Sequence, residues 1–168
     1  SYYDHEKHLV PRPTVVLDNS GVDDIHDNPA IAVDDEGFVW VFVSGRGSAT
    51  QPRHGYKFRS AEPYSVESFE RVAEEEMTYI QPWFVPGRGF FHLFTKYTDG
   101  RELYWETSAD GRSWSEDHKL AGIEGHFQVS GQRGSKVGTF FNRHPGGGVD
   151  RRTDLYYAQT EDFGATWT

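Results

Sequence analysis

The chain has no cysteine and a single methionine. Disulfides and thiolate metal sites are therefore excluded, although the lack of cysteine identifies no compartment. Convincing helical periodicity is missing throughout. No apolar run approaches the ~20 residues that a bilayer-spanning helix needs. Basic charge is scarce: 17 Lys and Arg stand against 26 Asp and Glu, a net charge of -9. That balance disfavours nucleic acid and anionic membranes as partners. No signal peptide is recognisable, and Ser1-Tyr2-Tyr3-Asp4-His5 reads as the interior of a longer protein.

What is abundant is aromatic residues, 15% of the total, together with 18 Gly and 8 Pro in 168 residues. This is the balance of an all-β protein with short strands and many turns. Two matching motifs set the repeat. Ser108-Ala109-Asp110-Gly111-Arg112-Ser113-Trp114 and Thr160-Glu161-Asp162-Phe163-Gly164-Ala165-Thr166-Trp167 each follow an aromatic strand-like run, Leu103 to Thr107 and Leu155 to Gln159. These are Asp-boxes, spaced by a repeat of about 50 residues, a period typical of solenoids and propellers. Their Ser/Thr and Asp side chains are expected to bond the turn backbone, with Gly in the left-handed position and Trp packed into the sheet. Asp110 and Asp162 thus read as staples at the periphery, not as catalytic acids.

Strand patterning completes the unit. Pro29 to Val33, the turn Asp34-Asp35-Glu36-Gly37, Phe38 to Val43, Tyr56 to Ser60 and Phe69 to Val72 form one four-stranded meander. A second begins at Pro82-Trp83-Phe84-Val85 and a third at Phe127-Gln128-Val129-Ser130. The expected fold is a β-propeller of four-stranded antiparallel blades, about three of them present, forming part of a larger six- to eight-bladed propeller. Residues 1–27 would hold the outer strand of a preceding blade (Thr14-Val15-Val16-Leu17) and the loop leading into the first full one. Blades would follow at 28–78, 79–125 and 126–168, the last without its fourth strand. The alternative is that chains self-associate to close the ring.

Asp-boxes within such a repeat resemble the bacterial neuraminidase repeat proteins. Asn28-Pro29-Ala30-Ile31-Ala32-Val33-Asp34, Trp40 to Arg46 and Gln81-Pro82-Trp83-Phe84 are most similar to a branch of secreted propellers acting on acidic polysaccharides. That branch includes ulvan lyases and rhamnose–glucuronate-cleaving enzymes. The resemblance implies a secreted or periplasmic location. The Tyr-Arg-Ile-Pro and Phe-Arg-Ile-Pro motifs of true sialidases are missing, which disfavours sialic acid.

Propeller geometry brings the loop before each innermost strand and the end of each second strand to one mouth. The first set of equivalent positions reads His26, Tyr79 and His126; the second reads Arg46, Lys96 and Arg143, with His144 next in the chain. Cations gathered on an acidic chain suit a polyanion such as a uronate-containing polysaccharide or oligosaccharide. β-Elimination there needs a carboxylate neutraliser, a base for the C5 proton and an acid for the leaving oxygen. His26 and Tyr79 are the candidate acid–base pair and Lys96 the neutraliser, with Arg46, His126, Arg143 and His144 holding neighbouring sugars. The lyases this chain resembles use His, Tyr and a basic group in these roles, and Lys96 stands where their Arg is expected.

Each residue also has a purely structural reading. His26 can cap its loop through Asp27, Tyr79 can pack between blades, and Lys96 and Arg143 can be solvated charges. His92 alternates with apolar neighbours as a structural histidine does, Glu74-Glu75-Glu76 reads as a solvated face, and His54 is a weaker candidate. His144 precedes Pro145-Gly146-Gly147-Gly148, expected to be a flexible loop arching over substrate. Hydrolysis by a sialidase-like propeller and carbohydrate binding without catalysis are the competing functions. No tight ligand spacing marks a metal site, so no cofactor is assigned, and a structural calcium or zinc ion stays open.

Overall fold

The computed structural model describes residues 1–18, 24, 26–46, 54–98, 100–123, 125–147 and 150–168, with the side chains of 125–127 and 147 left aside. Eleven strands fall into three antiparallel sheets among these residues. The first blade runs β1 (Pro29–Val33), β2 (Val39–Val43), β3 (Gly55–Ser60) and β4 (Phe69–Glu75). The second runs β5 (Thr78–Val85), β6 (Gly89–Tyr97), β7 (Arg101–Ser108) and β8 (His118–Ala121). The third holds β9 (Gly125–Arg133), β10 (Lys136–Arg143) and β11 (Thr153–Thr160). Each sheet is a plain meander in chain order, and the innermost strands β1, β5 and β9 lie next to one another. That is the propeller arrangement. No helix among the described residues is long and apolar enough to cross a membrane.

One expected strand does not form. Thr14 to Leu17 carries no strand pairing; instead Val16 and Leu17 pack on the cluster Val41, Val43 and Phe58. Apolar alternation there marks a face to be covered, and packing against the first blade satisfies it without a ladder.

The core lies in the seams between blades. Trp40, Phe42 and Ala32 of the first blade meet Ile80, Phe90, Phe94 and Tyr104 of the second. Phe91, Leu93 and Val85 of the second meet Val137 of the third. Alternation along β6 makes this possible, since successive residues face opposite seams. Polar bonds add register: Gln81 donates Nε2 to the Gln128 carbonyl at 2.7 Å and accepts from Ser130 N at 2.6 Å, while Trp83 Nε1 donates to Ser130 Oγ at 2.8 Å.

Both Asp turns behave as the sequence predicts, with one addition. Ser108 Oγ accepts from Gly111 N (2.8 Å), and Asp110 Oδ1 accepts from Arg112 N and Ser113 N (2.8 Å each). In the longer turn Thr160 Oγ1 accepts from Gly164 N at 2.8 Å and Asp162 accepts from Thr166 N at 2.9 Å. The addition concerns the two glycines, both at positive φ (71° and 96°). A Cβ on Gly111 would stand 2.3 Å from the Trp40 ring, and one on Gly164 would stand 2.4 Å from the Trp105 ring. Each turn therefore receives an indole from the blade before it.

The first seam also buries charge. Lys57, fully buried, pairs through Nζ with Glu106 at 2.7 Å and with Glu75, and lies 3.4 Å from the Trp114 ring centre. His92 Nδ1 meets the same Glu106 oxygen at 2.7 Å. Burial pushes both carboxyls up against the pull of Lys57, and burial holds His92 well below its usual range. His92 is structural, as expected. Glu75 is only half-solvated, unlike the exposed Glu74, because β4 turns its carboxylate into the seam where it meets Lys57.

Candidate active site at the strand ends

Residues at one end of the strands converge, and a backbone irregularity starts the convergence. The β5–β6 ladder shifts register between Thr78 and Gln81, and Tyr79 there has φ of 51°. A bulky residue in the left-handed region is an outlier, and bulges commonly re-aim a side chain. Tyr79 is thereby turned to the His26 ring, edge to face, with centroids 5.8 Å apart.

His26 is held from its own loop. Asp24 Oδ1 accepts from the backbone N–H of His26 at 2.9 Å and lies 2.6 Å from His26 Nδ1. Those bonds, the backbone one foremost, pull the Asp24 carboxyl down to about 2. The same Nδ1 lies 2.9 Å from Arg46 Nη1, which can only donate, so Asp24 and Arg46 both hold this nitrogen and leave Nε2 as the ring nitrogen outside these contacts. Arg46 closes the group: its Nη1 reaches Asp24 Oδ2 at 3.1 Å and its backbone N–H donates to Asp27 Oδ1 at 2.8 Å. Its Nε points to the Tyr97 hydroxyl at 3.4 Å, the leading cause of its raised pKa.

The Tyr79 hydroxyl sits among charges. Burial and the neighbouring Tyr97 raise its pKa, against the pull of Arg46 and Arg101. It is therefore protonated at neutral pH. A cavity of about 340 Å³ opens beside it, lined by His26, Ser44, Tyr79, Gln81 and Gln128. A larger cavity of about 540 Å³ lies at the opposite strand ends, among turn residues such as Asp35, Arg88 and Asp110. None of the expected site residues lines it.

The expected residues thus divide. His26, Tyr79 and Arg46 come together. Lys96 points to the seam of the first two blades, where its Nζ bonds Asp117 at 2.5 Å; burial lowers its pKa, but the Asp117 bond and the charges of Asp117, Glu76 and Glu75 together raise it. The next residue, Tyr97, faces the group instead, because neighbours on a strand alternate. Arg143 is exposed at a register shift in β10. His144 is only 1% exposed and accepts from Arg152 Nε at 3.1 Å, so it is fixed in place. Burial, then Arg152 and Arg101, lower its pKa. The β9 backbone places His126 opposite Asn142, but its side chain and the Gly148 of the following loop lie outside the described residues.

Sequence reasoning missed Asp24, Tyr97, Arg101 and Arg152. Asp24 was legible as an acid two residues before His26. Arg101 follows from the β6–β7 register, which sets it opposite Tyr97.

For a metal, Glu75, His92 and Glu106 have ligand atoms within 4.8 Å of one another. Their fit is poor, because the Lys57 ammonium already answers both carboxylates.

The fold and this cluster define an all-β propeller whose polar residues gather at one mouth. No family model matches the chain, and no curated protein matches it. Among solved structures it is similar to an ulvan lyase of polysaccharide lyase family PL25 bound to -[GlcA(1-4)Rha3S]-, at 16% identity and a TM-score of 0.68. A second structure of a PL25 ulvan lyase matches at 17% identity and a TM-score of 0.69. Each match covers 86% of this chain but 40% of the other, so the chain spans well under half the length of these enzymes. At that identity the likeness establishes the fold.

Proposed function

We propose that the chain belongs to a secreted or periplasmic polysaccharide lyase of the Asp-box propeller type, acting on uronate-containing glycans by β-elimination. The observation that carries this reading is the Asp24–His26–Tyr79 arrangement. One nitrogen of His26 is pinned by a carboxylate, and a protonated phenol stands beside the ring. The similarity to ulvan lyases supports the substrate class.

In the proposed step His26 Nε2 takes the C5 proton, and the C5–H electron pair forms the C4=C5 double bond. The C4–O bond breaks as the leaving oxygen takes the Tyr79 hydroxyl proton. Imidazolium and phenolate then return to their starting states by proton exchange with water. Arg46 orients Asp24 and His26. The neutraliser role expected of Lys96 is weakened by its bond to Asp117.

The outward face of the third blade supports a larger propeller. Phe140 and Leu155 are 49% and 75% exposed, while Leu93 and Leu103, their equivalents in the second blade, are fully buried by the third. A further blade on that face, from a longer polypeptide, would bury them in the same way.

The test is incubation of the purified chain with uronate polysaccharides, following the ultraviolet absorbance of unsaturated uronate. Bond cleavage without that absorbance means hydrolysis. Binding without cleavage by the chain joined to its remaining blades means a carbohydrate-binding propeller.

A further inference from the structure

Among the described residues, Arg101 is a cation of this cluster with no carboxylate beside it. Arg46 is answered by Asp24, Lys96 by Asp117, and Lys57 by Glu75 and Glu106. Arg101, at the start of β7, is half-buried and has no carboxylate partner among the described residues. Its Nη1 is buried and has no hydrogen-bond partner among them either. A guanidinium keeps its charge in a protein. A buried N–H left without an acceptor is destabilising, and more so on a charged group. Structures keep such a group where something else supplies the acceptor.

The surroundings state what that acceptor is. Arg101 lies against the Tyr97 ring, 5.8 Å from its centre, and Tyr97 in turn meets Arg46. It is near enough to Tyr79 and to His144 for its charge to act on both. His144 is backed by Arg152, a second guanidinium on the far side. Further unanswered polar atoms sit beside it in the seam of the second and third blades. The Oε1 and Nε2 of Gln128 are buried without partners among the described residues. Gln128 lines the cavity that His26 and Tyr79 also line. The charges favour an anion, while the amide suits the hydroxyls of a sugar.

We propose that Arg101 is the carboxylate receptor of this site, pairing with the C6 carboxylate of a uronate while Gln128 bonds a hydroxyl of the same sugar. This rests on the lyase reading for the reaction, but the binding claim stands without it. In the elimination the guanidinium draws electron density from the carboxylate, which acidifies the C5 proton that His26 receives. Arg101 thereby takes the part that the sequence suggests for Lys96. The fork geometry of Arg fits a carboxylate with two parallel bonds, which an ammonium cannot copy.

The test uses the intact chain, with glucuronate and a glucuronate-containing tetrasaccharide as ligands and methyl glucoside as the neutral control. Isothermal titration and tyrosine-ring NMR shifts report binding. The expected results are preference for the acidic ligands, at least tenfold loss of tetrasaccharide affinity in Arg101→Gln, and an intermediate loss in Arg101→Lys. Lys96→Met should bind as the parent does. An ultraviolet titration adds a reading that a structural role would not move: the Tyr79 phenol should titrate higher in Arg101→Gln than in the parent. Thermal melting of Arg101→Lys separates binding loss from unfolding. Equal affinity for acidic and neutral sugars, or unchanged affinity in a folded Arg101 variant, overturns the proposal. Uronate binding that depends on Arg101 without any unsaturated product would sink the lyase reading and leave the receptor intact.

Discussion

The Trp40 ring of the first blade closes over Gly111 of the second, so tightly that a methyl group on Gly111 would fall 2.3 Å from it. The same relation links Trp105 to Gly164 one seam further on. The Asp turns thus do two things: their side chains tie the hairpin, and their glycines admit the neighbour's indole.

Gly111→Ala should therefore destabilise the chain beyond the ordinary cost of a left-handed alanine. The positive φ costs roughly 1 kcal/mol, and overpacking adds about 1–3 kcal/mol. Urea unfolding measures the sum. Combining Gly111→Ala with Trp40→Leu should cost less than the two single changes added together, because the clash disappears with the ring. Strict additivity would show that the contact does not matter.

Lys57 gives a second expectation. Lys57→Met leaves Glu75 and Glu106 buried without their cation, and removing one partner of a buried pair costs about 3–5 kcal/mol. Adding Glu106→Gln should recover part of that loss in the same unfolding assay. A Lys57→Met protein as stable as the parent would contradict the buried charge cluster.

Acid should loosen the loops held by Asp24 and Asp162. Both carboxyls are lowered to about 2 from an ordinary 3.8, by the His26 backbone N–H first in one case and the Thr166 hydroxyl first in the other. The unfolded chain binds these protons more readily, so their contribution is complete above pH ~4 and fades as pH falls toward ~2. Melting temperatures across that window should drop less steeply in Asp162→Asn than in the parent. An identical slope would mean that Asp162 is not held low.

On activity, Tyr79→Phe should reduce elimination by about 10²–10⁴-fold while leaving oligosaccharide affinity nearly unchanged, since only the transferred proton is lost. His26→Ala should do the same. Asp24→Asn should act more mildly and shift the pH profile of turnover, because it frees the imidazole without removing it. Steady-state rates with separate binding measurements distinguish these outcomes. A Tyr79→Phe variant with full turnover excludes the phenol as the acid.

Lys96→Met should retain most of the turnover, since its ammonium is occupied by Asp117. A loss as deep as that of Tyr79→Phe would restore Lys96 to the reacting centre.

Much of this was legible in the chain. The two Asp motifs and the strand alternation yield the three sheets, their order and the mouth that collects His26, Tyr79 and Arg46. Thr14 to Leu17 misled because an apolar stripe reports burial and not hydrogen bonding. Lys96 misled for a different reason: a repeat aligns backbone positions, but neighbours on a strand face opposite sides, and here Lys96 turns to Asp117 while Tyr97 turns to Arg46. The site thus receives Tyr97. Arg101 was hidden because its significance lies in what it does not touch, which no spacing reveals.

The indole sockets have an evolutionary consequence. A ring from one repeat and a glycine from the next must change together, although a long stretch of chain separates them. Duplicating or exchanging a single blade would break such a pair at both of its borders. The inheritable module of this propeller is therefore the joint between repeats, cut from the middle of one blade to the middle of the following one.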